Sequence, residues 1–127
     1  MRVNEVTAAV IGAAIEVHRE LGPGLLESTY EACLLHELIE RGFSVERQKR
    51  LPVRYRGVRI DCGYRIDLLV EGQVIVELKA VPRVMAVHAA QMLTYLKLSG
   101  LHVGLLLNFH TLRMKDGVHR YVHQLPE

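Results

Sequence analysis

Asp67, Glu77 and Lys79 are residues whose types and spacing could do chemistry together. The stretch Tyr64 to Ala80, YRIDLLVEGQVIVELKA, reads as two strands joined by a tight turn at Glu71, Gly72 and Gln73. Side chains alternate along a strand. One face then carries Ile66, Leu68, Val70, Val74, Val76 and Leu78, and the other carries Arg65, Asp67, Leu69, Ile75, Glu77 and Lys79. A three-residue loop containing Gly keeps the two aliphatic sets on a common face. That register sets Asp67 opposite Glu77, with Lys79 two residues further on. Carboxylates directly across a strand pair repel, so a cation between them is expected. Mg²⁺ takes oxygen ligands at about 2.1 Å and keeps several waters. Asp67, Glu77 and the backbone carbonyl of Leu78 would hold it, with room for water and a phosphate. The ion would polarise the phosphate and lower the pKa of a bound water, and Lys79 would orient that water or offset transition-state charge. A competing reading makes Asp67 with Lys79, and Arg65 with Glu77, two cross-strand salt bridges on a wet face.

The elements that must position these groups can be read in order. Length bounds them first: 127 residues make about one domain, running from 1 to 127, with a core of its own. Half the residues are hydrophobic and 24% are charged, an ordinary globular balance. No apolar run approaches the roughly 20 residues of a membrane span, and the N-terminus lacks a signal-peptide layout, so a cytoplasmic protein with no membrane partner is expected. Cys33 and Cys62 share no CxxC pattern and read as reduced, mostly buried thiols. The net charge is only +2, but Arg47, Lys49, Arg50, Arg54, Arg56 and Arg59 crowd a span holding one acid, Glu46. Such a patch either attracts a polyanion or guards an edge strand with charge.

Val3 to Leu21 has an apolar stripe at three- and four-residue steps and predicts a helix with Asn4 as N-cap. LGPG at Leu21 to Gly24 breaks it. A second helix is predicted from Leu26 to Arg41, with Glu27 in its first turn, where a carboxylate also gains from the helix dipole. Gly42 supplies its left-handed C-cap. Phe43 to Ile60 predicts strand segments broken at Pro52 and Gly57. Met85 to Leu98 predicts a third helix, burying Met85, Ala89, Met92, Leu93 and Leu96 and turning His88, Gln91 and Tyr95 to the other side. Leu101 to Phe109 predicts a strand buried on both faces and parallel to a neighbour, reached by a right-handed crossover. Asp116-Gly117 predicts a tight hairpin in the tail, with His119, Tyr121 and His123 on one strand face. A zinc site from those histidines lacks any recognised ligand spacing.

Asp67, nine residues, then Glu77-Leu78-Lys79, on a hairpin followed by a helix and a buried strand, resembles the PD-(D/E)xK nuclease superfamily. GPGLLESTYE, with Gly24, Glu27 and Tyr30, resembles the name-giving motif of the GxxExxY family, grouped with those nucleases. VELKA, Gln91 to Tyr95 and GLLLNF are also similar to that family, and the likeness covers nearly the whole chain. The resemblance implies an α/β fold, a restriction-endonuclease-like mixed β-sheet flanked by helices, with an α-α-βββ-α-β core and a C-terminal β-hairpin. It implies Mg²⁺- or Mn²⁺-dependent hydrolysis of phosphodiester bonds in nucleic acid, DNA ahead of RNA. Glu27 matches a first-helix glutamate that joins the metal site in related exonucleases. Gln91 and Tyr95 resemble a QxxxY motif bordering the nucleic-acid cleft; the alternative is a hydrogen-bonded pair in a packing seam. Ile66 stands where the superfamily's loosely kept Pro would be.

The expected site therefore joins Glu27, Asp67, Glu77 and Lys79 for catalysis, with Asp67, Glu77, Leu78 and Glu27 as metal ligands. Gln91, Tyr95, Arg47, Lys49, Arg54 and Arg56 would bind substrate, the basic residues through the phosphate backbone. A non-cleaving module of the same fold, gripping nucleic acid or protein, is the alternative function, and a salt-bridged scaffold is the third. Target choice would then depend on a partner or a homodimer.

Overall fold

A computed structural model describes residues 1–126. Helix α1 spans Val3–Leu21 and α2 spans Glu27–Glu40; strands β1 (Val45–Arg50), β2 (Val53–Tyr55), β3 (Val58–Ile60), β4 (Arg65–Val70) and β5 (Val74–Lys79) follow. Helix α3 (Ala86–Ser99), β6 (Val103–Asn108), a 3-10 turn (Met114–Gly117) and β7 (Val118–Val122) complete the chain. The main sheet has the order β1-β4-β5-β6-β7, and β2 and β3 form a separate two-stranded ribbon. β5 and β6 are parallel and joined through α3, while β1-β4, β4-β5 and β6-β7 are antiparallel. This mixed sheet with helices on both faces is the restriction-endonuclease-like α/β fold.

Two apolar layers hold the sheet. On one face, Val6, Val10, Ala13 and Val17 of α1 and Tyr30, Leu34 and Leu38 of α2 pack on Leu68, Val70, Val76, Leu78, Leu105 and Leu107. On the other, Met92, Tyr95 and Leu96 of α3 pack on Ile66, Leu69, Ile75 and Leu106. β5 and β6 are covered on both faces, so their sequences are nearly continuous aliphatic runs.

Several local expectations are corrected. Asn4 lies inside α1, whose cap is Arg2; the Asn4 side chain instead accepts from Arg120. Tyr95 turns inward with Met92 and Leu96, whereas Met85 and Leu93 are exposed. The helix thus settles on a face rotated from the predicted one, because the broad Tyr95 ring fills the space over the sheet. Asp116-Gly117 belongs to the 3-10 turn, and β7 runs antiparallel to β6 after a connection through residues 109–117. Gly117 backs so closely onto the Asn108 carbonyl that a side chain has no room there. Cys62 is exposed and Cys33 half-buried, both free. No helix among the described residues is long and apolar enough to cross a membrane.

Candidate active site

Strands β4 and β5 pair as Leu68↔Val76, Leu69↔Ile75 and Val70↔Val74, and the ladder stops there. The next rung in that register would be Asp67 and Glu77. Instead, the Asp67 amide donates to Glu77 Oε2 at 2.7 Å, and the Leu78 amide donates to Asp67 Oδ2 at 2.9 Å. Each carboxylate takes an amide of the opposite strand that the interrupted ladder would otherwise leave unpaired. The expected face assignment breaks at the same point: Ile66 and Leu68, two residues apart, lie in opposite layers. Neighbouring β1 also skips a rung, with Arg47↔Leu68 and Lys49↔Ile66 paired but not Gln48 with Asp67. Gln48 there adopts φ +53°, a left-handed conformation uncommon for a non-glycine residue.

The kink turns Asp67 toward α2. An open cleft of about 560 Å³ is lined by Leu26, Glu27, Ser28, Glu31, Gln48, Asp67, Leu78 and Ala80, among others. Glu27 Oε1 accepts from the Ala80 amide at 3.2 Å, which ties the start of α2 to the end of β5. Glu31, one helical turn on and 7% exposed, accepts from Gln48 Nε2 at 2.7 Å and faces Arg47 Nε at 3.6 Å. The same Gln48 nitrogen reaches Asp67 Oδ1 at 3.3 Å. Neither Glu31 nor Gln48 is foreseen by the sequence reading. Four-residue spacing from Glu27 could have flagged Glu31, but no sequence signal separates Gln48 from the charges around it.

Tyr30 holds the entrance. Its hydroxyl donates to the Gly22 carbonyl at 2.6 Å and accepts from the Leu25 amide at 3.1 Å, while its ring stacks on Phe109 at 4.4 Å. The tyrosine of the Gly24-Glu27-Tyr30 pattern thus fixes the loop that leads into Glu27.

Glu77 is 6% exposed. Burial first, and the Asp67 carboxylate second, push its pKa from 4.5 up to about 8, against the lowering effects of the Asp67 amide and of Lys79. Near neutral pH its carboxyl is largely protonated. Among the described residues neither Asp67–Lys79 nor Arg65–Glu77 forms a salt bridge. The scaffold reading therefore loses the two ion pairs on which it rested.

Glu77, Lys79, Gln91 and Tyr95 do not line the cleft. Lys79 lies close enough to Glu77 to influence its charge. Tyr95 sits in the α3 layer, 6.3 Å from the Tyr64 ring, and Gln91 is exposed. Burial, followed by the charge of Glu77, raises the Tyr95 pKa and keeps its hydroxyl a donor. Of the basic stretch, Arg47 faces Glu31, Lys49 pairs with Glu46 at 3.0 Å and Arg50 with Asp61 at 3.5 Å. Arg54 and Arg56 project from the ribbon, the latter over the Tyr55 ring at 5.4 Å.

The donor set is carboxylate oxygen and backbone, the chemistry of hard divalent cations. Glu77 with a raised pKa beside a second carboxylate is a place where a cation would relieve repulsion. Among the described residues, however, no three Asp, Glu, His or Cys side chains are already gathered at metal-binding distance. The residues fit such an ion by type, and their carboxylates would have to draw closer together to hold it.

No curated protein and no solved structure matches the chain. A family model described as the PD-(D/E)XK nuclease superfamily matches residues 4–121, which include α2, the kinked β4-β5 pair, α3 and β6. With the mixed sheet and the interrupted Asp67–Glu77 rung, that match means that the chain belongs to the PD-(D/E)XK nuclease superfamily.

Proposed function

We propose that this chain is a divalent-metal-dependent nuclease that hydrolyses phosphodiester bonds, in DNA ahead of RNA, and that it acts as one nuclease-like unit of the GxxExxY type. The observation that carries the reading is the broken rung. Asp67 and Glu77 forgo their place in the ladder, take amides across the gap, and stand beside a cleft edged by Glu27 and Glu31. A sheet optimised only for stability would pair such strands with uncharged residues.

Nucleases of this superfamily generally use divalent metals. Here Asp67, Glu77, Glu27 and the Leu78 backbone would hold Mg²⁺ or Mn²⁺. When bound, the ion supplies Lewis acidity and a water of lowered pKa. Glu77 gives up its proton on loading, since a carboxylate must be ionised to ligate. Lys79 stabilises the negative charge that develops on the phosphate. Gln91, exposed on α3 outside the cleft, would approach the strand to be cut, with Tyr95 buried behind it in the α3 layer, and Arg47 and Lys49 would hold its backbone.

The test is incubation of labelled DNA and RNA, single-stranded and duplex, with Mg²⁺ or Mn²⁺. The wild type should cut, DNA faster than RNA. Lys79→Ala should lower the rate on the order of 10²–10³-fold, the usual loss for one charge-stabilising group. If no substrate is cut while binding persists and ignores Glu77→Ala, the protein is a non-cleaving module. That second reading draws its support from the ungathered carboxylates. A cytoplasmic location and a homodimer that sets target choice belong to the same proposal, and fractionation and sedimentation test them.

A further inference from the structure

Residues 51–64 leave the sheet between β1 and β4 and return to it. The Leu51 amide donates to the Tyr64 carbonyl at 2.9 Å and closes the base. The excursion holds the β2-β3 ribbon, whose register is Val53↔Ile60, Arg54↔Arg59 and Tyr55↔Val58. Arg56 and Gly57 make its two-residue turn, both at positive φ. Arg54 and Arg59 thus stand directly across the ribbon. At its base, Arg50 stands directly across from Arg65. Like charges directly opposite destabilise a strand pair, and here they recur on two rungs. Asp61 answers one of the four, Arg50, at 3.5 Å. Among the described residues Arg54, Arg59 and Arg65 have no carboxylate within salt-bridge distance. An isolated two-stranded ribbon is marginal in water, so it carries this repulsion with little to spare.

A polyanion removes the repulsion. We infer that the β2-β3 ribbon is a clamp for the sugar–phosphate backbone flanking the cut site, with the Arg54–Arg59 and Arg50–Arg65 rungs each holding a phosphate of its own, several nucleotides apart. This rests on the nuclease reading and deepens it. The clamp starts two residues from Asp67, at Arg65. From Arg50 to the turn at Arg56, the ribbon reaches at most about 20 Å, or roughly six nucleotides at 3.4 Å each. It therefore sets affinity and the minimum substrate length, and leaves the chemical step alone. Contacts to phosphate carry no sequence information.

The test measures binding of the full chain to fluorescent duplex DNA, duplex RNA and single-stranded DNA in EDTA, over a salt series. In Arg54→Ala/Arg59→Ala, both substitutions are on exposed side chains, and a thermal midpoint equal to or above that of the wild type should verify folding. The variant should bind long duplex at least tenfold more weakly, and its log–log salt slope should shrink by about two, near 0.9 per lost phosphate contact on B-form DNA. Its KM should rise with kcat unchanged. Preference among the three probes identifies the backbone form held. An unaltered affinity and slope, or a loss that shows in kcat alone, overturns the clamp. So does a variant that binds normally but loses self-association, which would make the ribbon a contact between copies. If the wild type binds none of the three probes, the nuclease reading fails first.

Discussion

Glu77 concentrates the electrostatics of the site in one proton. Its folded pKa of about 8 exceeds its ordinary 4.5 because burial and Asp67 disfavour the charge. Between those values the folded state binds a proton that the unfolded state has released, so raising the pH favours unfolding. In EDTA, the stability that Glu77 contributes should be fully present below the ordinary value and be lost as pH rises to about 8; urea midpoints of the wild type and of Glu77→Gln across that range would show it. Glu77→Gln should flatten the decline, and an equally steep decline in that variant would locate the effect elsewhere. Tyr30 permits a second expectation. Tyr30→Phe keeps the stack on Phe109 but strands the Leu25 amide and the Gly22 carbonyl. A loss of about 0.5–1.5 kcal/mol in urea unfolding is expected, because the loop is exposed enough for water to replace the lost partner. Metal affinity should weaken with it, since the released loop leads into Glu27. Strand alternation draws attention to Asp67 and Glu77 but hides the interrupted rung between them, because it assumes an unbroken ladder. Glu31 shares a helix face with Glu27, but that this face meets Gln48 beside Asp67 is known only once the sheet under it is.

At the scale of elements, the order of helices and strands, the β4-β5 turn and the parallel β5-α3-β6 crossover were readable from apolar periodicity. The rotation of α3 was not, because Tyr95 and Leu93 are both apolar enough to be buried and only the shape of the sheet chooses between them. Two glycines show how that shape is enforced. A methyl at Gly104 on β6 would press on the Met92 side chain, and one at Gly117 on the Asn108 backbone carbonyl. A methionine side chain can re-route, whereas a backbone carbonyl fixed in the sheet cannot. Gly117→Ala should therefore cost more than Gly104→Ala, within the roughly 1–3 kcal/mol typical of overpacking. Equilibrium denaturation of both would decide it, and the reverse order would mean that the turn before β7 yields more easily than α3.

Across the whole molecule, opposite charges are sorted: arginines on the ribbon, carboxylates in the cleft where α2, β1, β4 and β5 converge. Those four segments meet only in the folded chain, so a cation held by Asp67, Glu77 and Glu27 binds the native state and not the unfolded one. Native-state binding stabilises by RT ln(1 + [L]/Kd), about 2.7 kcal/mol at a hundredfold excess over Kd. Mg²⁺ or Mn²⁺ should raise the thermal midpoint, and EDTA should return it to the starting value. Asp67→Asn separates the metal site from its structural alternative by sign. The substitution removes the charge that opposes Glu77 while leaving an oxygen for the Leu78 amide. The metal-free variant should be as stable as the wild type or more so, and its midpoint should no longer respond to the ions. A purely structural Asp67 gives the opposite pair of results: Asp67→Asn loses stability through its bonds to the Leu78 amide and Gln48, and neither protein responds to divalent cations. Calorimetry of both proteins, each with and without the ion, compares the four midpoints directly.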